Sequence, residues 1–167
     1  MMETAEQRAG FYKFLSMGFL FPDEPSRISE FNTVFLGDQG VPPYECEFSC
    51  SSDFEKARWL ADIAGFYRAF GVEPSGERPD HIASELEFLH LLSLKEALAG
   101  RESHTEHLEV TLDAERKFFR EHLRGWAPRF IQAVRGRAAP DSFYDNLCGA
   151  LEELLEAEAE RLGEVSS

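Results

Sequence analysis

The residues best placed to do chemistry are acids and histidines gathered beside apolar stretches. Glu77, Asp80 and His81 surround Pro79 just ahead of the most apolar run of the chain, and Glu85 and Glu87 lie inside it. A carboxylate facing a core needs a partner. An Arg or a His, such as His122, would supply one; alternatively Glu85, near the loop, faces a groove for a basic peptide. Asp80-His81 has two readings. In one, Asp80 complements the positive end of a helix and His81 hydrogen-bonds locally. In the other, the pair is exposed, accepts hydrogen bonds and attracts cations. His122 and Trp126, four residues apart, read as a His complementing a helix C-terminus and a Trp packed over the end of a bundle. Cys46-x3-Cys50 offers half a zinc ligand set, and the rest would have to come from isolated histidines such as His104 and His107. Half-buried free thiols are the simpler reading. The sequence has no Gly-x-Ser-x-Gly elbow, no Gly-x4-Gly-Lys-Ser/Thr and no Gly-x-Gly-x2-Gly, so neither an enzyme nor a metal protein is expected.

The elements that must position these groups are helices. Residues 80–99 form the central one. Pro79 and Asp80 start it, and Gly100 is a natural residue just past its end. From Leu86 onward it is apolar nearly all round, as a buried helix is. A first helix over 4–21 carries a capping box, Thr4 with Gln7, and Pro22 and Pro25 end it. Ser26 caps a second helix reaching Leu36. Tyr44 to Cys50 is irregular. Ser52 or Asp53 caps a helix to Phe70, which Gly71 stops. Beyond the central helix, Leu108, Leu112, Phe119 and Leu123 share one face of a helix over 103–123, and Glu115 falls on that face too. Gly125 and Pro128 punctuate before a shorter helix over 127–135. Pro140 and Asp141 open the last helix, and 163–167 is a frayed tail. The expected fold is all-α: one domain over 1–167, a bundle of about seven helices around a buried helix 80–99.

Composition narrows the partners. The 167 residues are 43% hydrophobic, with 15 Phe and 12 Gly, which is compatible with a real core. Net charge is -14, and residues 141–167 supply -7 of it. Such acidity disfavours nucleic acid and favours a cationic partner. No 20-residue apolar run is present, so no stable membrane insertion is expected. Glu3 and Glu6 precede any apolar stretch and no small-residue cleavage site follows, which predicts a cytoplasmic protein. Three cysteines do not make a disulfide framework. A monomer or a homodimer is expected, since helical bundles with long loops can exchange elements.

Three segments together resemble a known family. Pro79-Asp80-His81 followed by Glu85-Leu86-Glu87-Phe88-Leu89, then Pro43-Tyr44-Glu45, then Phe119-x2-His122-Leu123-x2-Trp126-x-Pro128-x-Phe130 resemble the signature of the twin-arginine redox-enzyme maturation chaperones. That family includes the trimethylamine-oxide and dimethyl-sulfoxide reductase chaperones and the nitrate reductase delta assembly subunit. The resemblance spans about residues 5–160. It implies a helical protein without a cofactor. Such a protein binds the twin-arginine signal peptide of a molybdopterin oxidoreductase's catalytic subunit while the cofactor is inserted, before export. The alternative is a permanent assembly or accessory subunit of an oxidoreductase complex. By motif position the resemblance assigns Glu77, Pro79, Asp80, His81 and Glu85 to signal-peptide binding. Tyr44, Glu45, His122 and Trp126 carry over as motif residues. Cys46-Glu47-Phe48-Ser49-Cys50 departs from the small or β-branched residues of the family and is read as particular to this chain's client.

Overall fold

A computed structural model describes residues 2–73 and 78–164. Every expected helix is present, with shifted ends. They are α1 Ala5–Gly18, α2 Pro25–Phe35, α4 Asp53–Ala69, α5 Ile82–Arg101, α6 Thr105–Phe118, α7 Arg124–Arg135 and α8 Phe143–Arg161. One further helical turn, α3 Cys46–Ser49, occupies the stretch expected to be irregular. The only β feature among the described residues is an isolated antiparallel bridge, Tyr44 with His81.

Local chemistry accounts for most of the ends. Thr4 Oγ1 accepts from Gln7 N–H while Gln7 Oε1 accepts from Thr4 N–H, the full capping box. Ser52 caps α4, and Gly71 beyond it takes φ +70°. The central helix differs from expectation at both ends. His81 is its N-cap and Asp80 precedes it. It also runs through Gly100 to Arg101, with Ser103 (φ 55°) making the left-handed turn. Helix α2 starts at Pro25 after Glu24, not at Ser26, and α8 starts after Ser142.

The larger correction falls between α6 and α7. Gly125 and Pro128 do not interrupt the chain. Helix α6 passes into a π-turn, Phe119–Leu123, and on into α7 with Pro128 inside it. Proline in a helix removes one hydrogen bond and crowds the preceding turn, and the widened turn lies just ahead of it. Through this stretch Phe119, His122, Leu123, Trp126 and Phe130 are all buried.

Helix α5 packs between α1 and α6. Its Ile82, Leu86, Phe88, Leu89 and Leu92 are at most 1% exposed. Burying each contributes roughly 1.5–3 kcal/mol. Helix α1 runs antiparallel to it: Ser16 Oγ donates to Ala83 O (2.9 Å), Lys13 Nζ bridges both Glu87 oxygens (2.7 and 2.8 Å) and Arg8 pairs with Glu96.

Glu115, the acid on the apolar face of α6, finds a buried cluster. Arg161 Nη2 donates to Glu115 Oε2 and Glu158 Oε2 (both 2.7 Å), and Tyr12 Oη donates to Glu158 Oε2 at 2.9 Å. Burial outweighs Arg161 and pushes the Glu115 carboxyl up to about 7.

The loop after α2 depends on backbone contact. A Cβ on Gly40 would lie 2.5 Å from Phe35 O, in a turn closed by Gly40 N–H to Gly37 O and Val41 N–H to Val34 O. Gly40→Ala is therefore expected to lower stability by about 1–3 kcal/mol, as forced overpacking does. Urea unfolding measures this, and an unchanged midpoint would contradict it.

Candidate functional site

The three motif segments, far apart in sequence, meet at the start of α5. The first joint is backbone. Glu45 N–H donates to Asp80 O and Ile82 N–H donates to Pro43 O, both at 2.9 Å, around the Tyr44–His81 bridge. Tyr67 Oη of α4 donates to Pro79 O at 2.7 Å, which fixes the same loop from the other side.

Side chains then lock the joint. The Asp80 carboxylate takes Arg78 Nε (3.0 Å), Arg78 Nη2 (2.8 Å) and Cys46 N–H (3.1 Å). His81 Nδ1 accepts from Ala83 N–H at 3.0 Å, and its ring meets Tyr44 edge-on at 5.2 Å. Glu45 accepts from Trp59 Nε1 at 2.6 Å and faces His122 Nδ1 at 3.1 and 3.2 Å. The other imidazole nitrogen, Nε2, lies 2.7 Å from Asp62 Oδ2. With a carboxylate on each nitrogen, the imidazolium donates twice. Burial pulls His122 down, but Glu45 and Asp62 together hold it above its ordinary value.

Glu85 closes the network. Trp126 Nε1 donates to its Oε2 at 3.1 Å, while Oε1 receives no donor. Burial first, and the neighbouring Glu45 second, push this carboxyl well above the usual range. The Glu85 carboxyl thus keeps its proton to higher pH than an exposed glutamate, with the Glu45 carboxylate beside it.

This geometry revises the sequence expectations. Asp80, Glu85, Glu45 and Trp126 are 0% exposed, with His122 at 2% and His81 at 5%. The Asp80-His81 pair is not an exposed cation trap. It is buried because Arg78, the Cys46 amide and the Pro43–Glu45 segment cover it, and His81 acts as a helix cap. The partner of Glu85 is Trp126 with Glu45; His122 instead serves Glu45 and Asp62. Pro79 is half-buried, and Glu77 lies outside the described residues. Cys46 and Cys50 are free. His104 and His107 sit at the start of α6 near Glu102, and no His/Cys/Asp/Glu group among the described residues is suited to a metal. Three residues that sequence reasoning did not single out as functional belong here: Trp59, Asp62 and Arg78. Trp59 had the periodicity of a core residue, and nothing local marks the other two.

The network has an open edge. A cleft of about 800 Å³ is lined by Glu55, Arg58, Trp59, Asp62, Glu121 and His122, among others. Its three acids outnumber Arg58 and His122 and leave it electronegative, and Trp59 gives it an aromatic wall.

The arrangement defines a class: an all-α bundle whose three motif segments converge on one buried polar network. The nitrate reductase delta subunit family matches residues 25–132, and the chain belongs to that family. It is 39% identical over 108 residues to the selenate reductase assembly chaperone protein of Thauera selenatis, covering 63% of this chain and 53% of that one. It is 35% identical over 108 residues to the chlorate reductase assembly chaperone protein of Ideonella dechloratans, with the same coverage. The perchlorate reductase assembly chaperone protein of Dechloromonas aromatica is 31% identical over 106 residues, 62% of this chain and 46% of that one. The chain spans about half the length of the curated relatives it matches.

Proposed function

We propose that this protein is a cytoplasmic assembly chaperone, not an enzyme, which binds the twin-arginine signal peptide of a molybdopterin oxidoreductase's catalytic subunit and holds that subunit for cofactor insertion before export. The observation that carries the reading is the similarity over 106–108 residues to three proteins each named as an assembly chaperone of an oxyanion reductase.

The physical properties suit such a client. A signal peptide has a basic start and an apolar segment behind it. The net charge of -14 and the cleft at Glu55, Asp62 and Glu121 favour the basic start. Apolar surface is offered by α1, where Phe14 and Met17 are 56% and 62% exposed one turn apart, and by Phe21 just beyond its end, 59% exposed. The C-terminal half of α1 runs beside the start of α5. Client contact is assigned to Glu77 and Pro79, which precede α5 in the sequence, to Asp80 beneath Arg78, and to the cleft. The buried His81, Glu85, Tyr44–Glu45 joint, His122 and Trp126 hold these surfaces in place.

Titration calorimetry with a synthetic peptide, two adjacent arginines followed by an apolar segment, tests this. Binding is expected, weakening as salt rises because its charges lie at a rim, and weaker again in Asp62→Asn. Absence of binding to the folded wild-type protein would overturn the peptide-binding reading.

A further inference from the structure

The Asp80 carboxylate already holds a guanidinium, and it belongs to the chain itself. Arg78 meets Asp80 with two parallel bonds, Nε to Oδ1 and Nη2 to Oδ2. That is the bidentate geometry which sets guanidinium recognition apart from that of other cations. Its Cζ stands 4.3 Å over the Tyr44 ring centroid, and Nη1 is 3.5 Å from Glu47 Oε1. A carboxylate in plane, an aromatic face and a second acid at the rim form a cage for guanidinium regardless of the chain that supplies it.

The burial is asymmetric. The Asp80 side chain is 0% exposed, whereas that of Arg78 is 35% exposed. Arg78 sits on the solvent side, over a carboxylate that must not be left unpaired. The walls are also held without it. Cys46 N–H bonds Asp80 Oδ2, and the Pro43–Glu45 joint fixes Tyr44 against His81. One guanidinium can therefore leave as another arrives, with Asp80 never bare.

We propose that the Asp80–Tyr44–Glu47 cage is a guanidinium-binding subsite, which Arg78 occupies in the client-free protein and which an arginine of the client takes over. The identity of the incoming arginine rests on the chaperone reading; the cage itself does not. Arg78 is then an internal competitor. It keeps the site closed to weak cations and makes client affinity the balance of an exchange.

Arg78→Ala separates the two parts. Thermal unfolding with a few millimolar guanidinium chloride, against sodium chloride at equal ionic strength, reads the cage. The Tm of Arg78→Ala is expected to rise with guanidinium and that of wild type to stay unchanged; no rise in the variant overturns the cage. Calorimetry with the Arg-Arg-apolar peptide reads the exchange. Affinity is expected to be at least about tenfold tighter for Arg78→Ala than for wild type. Equal or weaker affinity in the folded variant overturns the competition and leaves Arg78 a local ion pair. Guanidinium rescue with no peptide binding to either protein would overturn the exchange and the chaperone reading together. Loss of rescue with peptide binding intact would overturn the cage alone. If Arg78→Ala fails to fold, Arg78→Lys carries the peptide test, since it keeps a charge against Asp80 and loses the fork; the same increase in affinity, smaller in size, is expected of it.

Discussion

His122→Ala is expected to lower stability by about 3–5 kcal/mol, the loss seen when one partner of a buried pair is removed. His122 and Glu45 are 2% and 0% exposed, and His122 is the only cation beside Glu45 among the groups described around it. Without it the Glu45 carboxylate keeps the Trp59 N–H and has the Glu85 carboxyl, not a cation, beside it. For a chain of this size the loss corresponds to a fall in Tm of roughly 6–20 °C. Asp62→Asn is the matched control. The Asp62 side chain is 59% exposed, so solvent screens its contribution and less than about 1 kcal/mol should be lost. Urea unfolding of both variants measures the difference. Equal small losses would mean that the Glu45–His122 pair does not hold the three motif segments together.

Stability is also expected to fall as pH rises from about 5 to 8, and Glu115→Gln should flatten the fall. The Glu115 carboxyl moves from 4.5 to about 7 on folding, chiefly through burial. A folded value above the unfolded one means that the native state binds more protons between them, so the slope of stability against pH is negative. The contribution is complete below pH 4.5 and is lost as pH rises through about 7. At about 1.4 kcal/mol per unit the loss is roughly 3–4 kcal/mol. Glu85 and His122 are both raised as well and act with the same sign. Self-repulsion of the acidic chain grows in the same direction, so the change of slope in Glu115→Gln isolates its share. Gln keeps an acceptor for Arg161. A wild-type stability that climbs steadily from pH 5 to 8 would contradict the raised carboxyls of Glu115 and Glu85.

The helices were legible because their signals are local. Thr4 with Gln7, Ser52, Gly71 and the apolar run after Leu86 each act within a turn or two of chain. The π-turn was not legible, because Gly125 and Pro128 read as a stop and only packing of Phe119, Trp126 and Phe130 into the core overrides them. The motif residues were legible as a set, and their convergence supports the family reading. Their roles were not. Asp80 and His81 allow both a helix entry and an exposed charged pair, and only Pro43–Glu45, some 35 residues away in the chain, closing over them decides for the first. Glu45 and His122 are 77 residues apart, and Trp126 and Glu85 are 41 apart. No periodicity encodes such pairings. Arg78 sits between Glu77 and Pro79 with no local signal of its own, since only the orientation of its guanidinium over Tyr44 marks it.

The central claim, that this chain holds a reductase catalytic subunit before export, is tested most directly by purifying the protein from its native cells and mapping the peptides of what accompanies it. The account predicts a molybdenum-enzyme catalytic subunit with its N-terminal signal still attached. A mature, cofactor-loaded enzyme complex lacking that signal would contradict it and make the chain a permanent subunit instead.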